Sequence, residues 1–163
     1  MNSSEISSIL SSDPIIQPIF AGYSFPDKHV NISSFPSLTI INTDKSTGPG
    51  EHWCVAYFDN NKHCDYFDPL GISPFDQVTL QSDVFPILNQ FDSPISFSIN
   101  PVQSMNAKTC GPHCIYFSFL RCRKFSFDTI LRYFYFSDNT QANDSLVVQF
   151  MRKHGFPFNP SKY

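Results

Sequence analysis

Apolar and polar positions along the chain follow two periods, and the switches between them outline the elements. Over Ser3–Leu10, Ile6, Ile9 and Leu10 share one helical face, with serines at the cap position, Glu5 in the first turn and Asp13-Pro14 as the stop. A short helix lying as a lid on the core is expected there. Residues 21–36, with Gly22, Pro26, Pro36 and several serines, are expected to be loop. SLTIIN (37–42), rich in β-branched residues, predicts a buried strand. After the turn-rich DKSTGPGE (44–51), HWCVAYF (52–58) and HCDYFD (63–68) flank DNNK, the pattern of a hairpin that PLGISP ends. A helix around 84–90 and a strand over ISFSIN (95–100) follow. From Cys110 to Leu120 the chain is apolar nearly all round, as in a helix buried against a sheet, and Pro112 suits its first turn, where the missing N–H has no helical partner. Two more helices are expected near 127–136 and 142–154, the last ending on Arg152, Lys153 and His154 before Gly155. No internal repeat or domain boundary interrupts the pattern. The expected architecture is α+β, in a single domain spanning 1–163.

Composition narrows the function classes. At 163 residues, 41% hydrophobic with 18 Phe and 7 Tyr, the chain has the aromatic area to offset its conformational entropy in one core. A net charge of −3 and a pI near 5.9 give no global attraction to nucleic acid or anionic lipid. Five cysteines, an odd number without framework spacing, suggest free thiols in a reducing compartment. The opening residues lack the basic and apolar regions of a secretory signal, and no stretch approaches the roughly 18 apolar residues of a bilayer span, so a soluble, intracellular, non-secreted protein is expected.

The chemistry concentrates in TCGPHC (109–114). A thiol in the first turn of a helix feels the positive end of the dipole and unpaired N–H groups, both of which favour thiolate, and Cys110 sits there. A nucleophilic cysteine also needs a base, normally histidine, and a group to orient it. His52 opens one hairpin strand and Asp68 closes the other. With a two-residue loop, Asn60-Asn61, Trp53 faces Asp68 and His52 points to the opposite side of the sheet. With a three-residue loop, Asp59-Asn60-Asn61, closed by an Asn in the left-handed conformation, His52 faces Asp68 with Cβ atoms roughly 4.5–5.5 Å apart. Only the second register makes a site. Gln103, seven positions before the thiol, supplies a side-chain N–H that with the Cys110 N–H would form an oxyanion hole, at roughly 2.7–4 kcal/mol of barrier per donor. Trp53 would wall the cleft and favour small substrate residues such as glycine.

GEHWCVAYF, then YFDPLG, then Gln103 and, seven positions on, Cys110-Gly111 together resemble the adenovirus protease (adenain) family, within the clan of ubiquitin-like-protein proteases. SSEISSIL, SLTIINTDKSTGPGEHW and SLVVQFMRKHGF extend the resemblance over most of the chain. It implies His52 as general base, Asp68 as its orienting carboxylate, Gln103 as oxyanion donor and Cys110 as nucleophile, with Trp53, Glu51 and Gly111 binding substrate. It implies a papain-like or adenain-like core in which a central mixed sheet packs on the cysteine-bearing helix. The implied activity is that of a monomeric viral thiol protease cutting capsid and core precursors at glycine-containing sites during virion maturation, in the host nucleus or cytoplasm and in the virion. The family's activators are DNA and a viral peptide disulfide-linked to a cysteine upstream of the glutamine. This chain has no cysteine between Cys64 and Cys110 and is acidic, so both cofactors depart from the pattern.

Two other readings stand beside this one. The same chemistry could act on the Gly-Gly tail of a ubiquitin-like protein. Alternatively, Cys110, His113 and Cys114 share a helix face, and His52 and Cys54 share a strand face, so a non-catalytic zinc module is conceivable, although no C-x-x-C pair anchors an ion and His63 and Cys64 point to opposite faces. Cys54, Cys64, Cys114 and Cys122 are expected to be core thiols, His63 a solvated turn residue and His154 a helix-end residue. Arg121, Arg123, Lys124, Arg132, Arg152 and Lys153 would form a solvated basic face or a DNA track.

Overall fold

The computed structural model describes residues 1–50, 52–76, 84–135 and 139–158. Its elements run α1 (Ser3–Ser12), β1 (Phe20–Ser24), β2 (Ser37–Asn42), β3 (Trp53–Phe58), β4 (Cys64–Phe67), α2 (Phe85–Leu88), β5 (Ile95–Phe97), α3 (Cys110–Cys122), α4 (Phe127–Tyr135) and α5 (Thr140–Lys153). The five strands form one mixed sheet in sequence order, antiparallel at β2–β3 and β3–β4 and parallel at both edges. This is the α+β architecture expected, with α3 packed on the sheet.

Both sheet faces are covered, which is why β2, β3 and β4 are buried at every position and lack polar alternation. Trp53, Val55 and Tyr57 of β3 point to one side, where Ile6, Ile9 and Leu10 of α1 and Ile115 and Phe117 of α3 complete a large core. Phe67 lies stacked on Phe117, with ring centroids 4.5 Å apart. Cys54, Ala56 and Phe58 point to the other side, onto Ile87 and Leu88 of α2. The helix of the Cys110 segment therefore belongs to one face of the sheet, whereas the even-numbered residues of β3 belong to the opposite face.

Four local expectations change. The cap of α1 is Asn2, not a serine: its side chain accepts from the Glu5 N–H at 2.9 Å, and the Glu5 carboxylate accepts from the Asn2 N–H at 2.9 Å. Part of 21–36 is strand, because β1 gains a parallel partner in β2 that no local pattern announces. His63 is not simply solvated, since its Nε2 lies 2.8 Å from Ser96 Oγ. The hairpin pairs Val55 with Phe67, Ala56 with Tyr66, Tyr57 with Asp65 and Phe58 with Cys64, a register that neither alternative anticipated. Its loop is Asn60-Asn61-Lys62, and the left-handed residue is Lys62 at φ 66°. Asp59 sets this, its Oδ1 accepting from the N–H groups of Asn61 (2.8 Å) and His63 (2.9 Å). Continued one pair, the register faces Cys54, rather than His52, with Asp68. The slip is by two residues, so His52, Cys54, Tyr66 and Asp68 keep a common face.

The basic face is partly neutralised within the fold. Arg121 Nε donates to Asp65 Oδ2 at 2.7 Å, and Arg123 Nη2 donates to Asp13 Oδ2 at 2.7 Å. Among the described residues, no helix is long and apolar enough to cross a membrane.

Candidate active site

His52 immediately precedes β3 and Asp68 immediately follows β4, so both lie at one end of the sheet. The N-terminus of α3 reaches the same end from the other face. A strand end is where groups from opposite faces can meet, because no further backbone separates them. His52 Nε2 donates to Asp68 Oδ1 at 2.8 Å, and the Cys110 side chain lies within electrostatic reach of the same ring. With Nε2 engaged by the carboxylate, Nδ1 is the ring nitrogen left for the sulfur. The three residues expected to converge do so.

Asp68, only 3% exposed, receives four donors. Oδ1 accepts from His52 and from the Leu70 N–H at 2.7 Å; Oδ2 accepts from the Cys54 thiol at 3.3 Å and the Tyr66 hydroxyl at 3.4 Å. A carboxylate so surrounded is held in one rotamer with both oxygens satisfied. Tyr66 is a partner that sequence reading missed. The period of two offers the signal: 52 and 54 on β3, and 66 and 68 on β4, share one face.

The two reactive groups are shifted in complementary directions. Burial alone would raise the Cys110 pKa, but the hydrogen bond and charge of His52, with the backbones of Trp53 and Gly111, bring it below the ordinary thiol value. Burial alone would lower that of His52; facing Cys54, Asp68 and Cys110 outweigh it and raise it well above the usual imidazole value. Thiolate and imidazolium are thus favoured together. No side chain caps α3: the Thr109 hydroxyl bonds elsewhere, and with Pro112 lacking an N–H the leading first-turn donors are those of Cys110 and Gly111.

These groups open onto a cleft of about 730 Å³ lined by His52, Trp53, Leu70, Gln103, Met105 and Cys110, among others. Gln103 is buried; its Nε2 donates to the Ala107 carbonyl at 2.6 Å, which leaves the second N–H of that amide uncommitted, while Oε1 has no partner. Trp53 is buried in the cleft wall, its indole N–H donating to the Met1 carbonyl at 3.1 Å. Gly111 is buried beneath Met1, where an added Cβ would lie 3.2 Å from Met1 Cβ and Sδ, so its contact is with the chain itself. Glu51 lies outside the described residues.

The candidate ligands of the alternative zinc reading have other partners. Cys114 Sγ donates to the Trp53 carbonyl at 3.1 Å and the His113 ring to the Thr109 carbonyl at 2.9 Å. Among the described residues, His52, Cys54 and Asp68 alone bring three donor atoms within 4.8 Å of one another. Burial and the neighbouring Asp68 push the Cys54 thiol up to about 12, so it stays protonated and serves as a hydrogen-bond donor. That donor chemistry fits an orienting network and not a metal cage.

No family model matches the chain. Among solved structures, the central domain of the uncharacterized Lpg1148 protein from Legionella pneumophila aligns with a TM-score of 0.49 at 19% identity, covering 91% of this chain and 98% of that one. The African swine fever virus protease aligns with a TM-score of 0.35 at 21% identity, covering 63% and 42%. In sequence, 84 residues, 48% of the chain, are 27% identical to the cysteine protease of African swine fever virus, and the match spans 31% of that protein's length. The chain is distantly similar in sequence to a viral cysteine protease.

Proposed function

We propose that this chain is a cysteine endopeptidase of adenain type. One observation carries the reading: a single imidazole, hydrogen-bonded to a four-donor carboxylate and electrostatically coupled to a helix-N-terminal thiol, facing an open cleft. His52 takes the Cys110 proton, and the thiolate adds to a peptide carbonyl carbon. The oxyanion is held by the Cys110 N–H and the remaining Gln103 amide N–H. His52 then gives its proton to the leaving amine as the C–N bond breaks, leaving a thioester. A water, deprotonated by His52, adds to that thioester and releases the carboxylate product with the thiol restored.

The motif resemblance and the distant likeness to a viral cysteine protease support viral precursor proteins as substrates, and the Trp53 wall supports cleavage beside glycine. Wild type and Cys110→Ala incubated with glycine-containing peptide libraries test the reading by mass spectrometry. Cleavage by wild type alone is expected; equal turnover by both variants ends the proposal, and preferential reaction of Cys110 with a Gly-Gly-tailed ubiquitin-type probe redirects the substrate assignment.

A further inference from the structure

Gln103 and Cys110 are separated by a loop, residues 104–109, whose shape fixes the spacing between the two oxyanion donors. That loop makes its anchoring contacts with α5. Asp144 Oδ2 accepts from the Ser104 N–H at 3.2 Å, and Asp144 Oδ1 accepts from the Thr109 hydroxyl at 2.5 Å. One carboxylate therefore grips both ends of the loop. Its helix neighbours reinforce the grip: Thr140 Oγ1 receives the Ser104 hydroxyl at 3.1 Å, and Asn143 Nδ2 donates to the Val102 carbonyl at 3.1 Å. Within the loop, the Ala107 carbonyl accepts the Gln103 amide at 2.6 Å, so the orientation of that amide depends on the path between residues 104 and 109.

The same carboxylate explains why Thr109, at the cap position of α3, does not cap it. Its hydroxyl is drawn to Asp144, and its carbonyl accepts from the buried His113 ring at 2.9 Å. Since Pro112 has no N–H, the donor that a conventional threonine cap would occupy is the Gly111 N–H, which is instead left beside the Cys110 sulfur.

We infer that Asp144 is a positioning residue for the oxyanion hole, holding Ser104 and Thr109 so that the Gln103 amide and the Cys110 N–H converge. The inference rests on the peptidase reading, and it predicts a particular division of effects. Asp144→Asn conserves volume, but its single acceptor oxygen cannot serve both donors; Thr109→Val removes one of the two bonds, and Thr109→Ser retains it.

The experiment measures three quantities on each variant: kcat and KM on a cleaved peptide, the inhibition constant of a peptide aldehyde, and the rate of Cys110 alkylation by iodoacetamide. The aldehyde forms a tetrahedral adduct that needs the oxyanion donors, whereas alkylation needs only the thiolate. For Asp144→Asn and Thr109→Val, kcat should fall about 10- to 100-fold and the aldehyde should weaken in proportion, with KM and the alkylation rate within about threefold of wild type. Thr109→Ser should behave as wild type. Wild-type kcat and aldehyde affinity in Asp144→Asn and Thr109→Val would overturn the inference while leaving the peptidase intact; so would a parallel loss of alkylation, which indicates general damage. A wild-type protein that neither cleaves nor alkylates at Cys110 faster than a free thiol would instead remove the peptidase reading, and this inference with it. Should Asp144→Asn fail to fold, Thr109→Val reads the same contact.

Discussion

Asp68→Asn probes the centre of the site at nearly constant volume. The carboxylate receives His52, the Leu70 N–H, Cys54 and Tyr66, and the amide offers only one acceptor oxygen to those four donors. Removing the charge matters most for the imidazolium. At an effective dielectric constant of about 20, opposite unit charges about 4 Å apart attract by roughly 4 kcal/mol, an upper bound of about 10³ on the effect. An asparagine oxygen still turned toward Nε2 retains part of this, so a fall of about 10²-fold in kcat/KM is expected. The pH dependence carries the sign. In the wild type, the lowered Cys110 value and the raised His52 value favour a thiolate–imidazolium pair in the window between them. Without the carboxylate the His52 value drops, and the weaker imidazolium lets the Cys110 value climb, so the window should close from both sides. Alkylation rates and kcat/KM, each followed from pH 4 to pH 10, report the two edges. Unmoved edges, or a kcat/KM within about threefold of wild type, would refute the assignment of Asp68 as the orienting group.

Two further substitutions test the surroundings. Tyr66→Phe removes one donor to Asp68 and Cys54 but leaves the carboxylate three partners, so kcat/KM should fall less than about tenfold and stability by about 1 kcal/mol, read by urea unfolding; a loss as large as that of Asp68→Asn would contradict the ranking. Asp13→Asn breaks the pair with Arg123 that joins the end of α1 to the end of α3. Burial opposes ionisation of Asp13, but Arg123 and the Ile15 and Ile16 N–H groups outweigh it and depress its pKa, so the wild type's advantage should be present above the ordinary carboxylate range and fade as pH falls through the depressed value. Allowing for solvent screening, about 1 kcal/mol should separate the two at pH 7 in chemical denaturation, and an equal gap at pH 2 would argue against an ionic origin.

Where the outcome depended on burial period, the sequence was informative. The bounds of β2 match SLTIIN, because a strand covered on both faces declares itself as an uninterrupted apolar run, and α3 begins at the cysteine that opens its apolar stretch. Register was a different matter. Which residue takes the left-handed position depends on an Asp59 side chain folding back over its own turn, and that bond competes with the usual preference for asparagine there. His52 and Asp68 still met because a two-residue slip conserves the face. β1 was hidden because its partner is supplied by tertiary structure. Asp144 was hidden for the same reason: an acidic residue on a half-exposed helix has no pattern of its own, and its meaning comes from a loop forty residues upstream.

The imidazole is fixed from one side of the sheet and the sulfur from the other, and this has a biological corollary. A nascent or partly collapsed polypeptide, with either layer still undocked, owns every reactive group yet has no assembled chemistry. On the peptidase reading, hydrolytic power would switch on only with the final sandwich, sparing the translating ribosome and neighbouring chains from a premature blade.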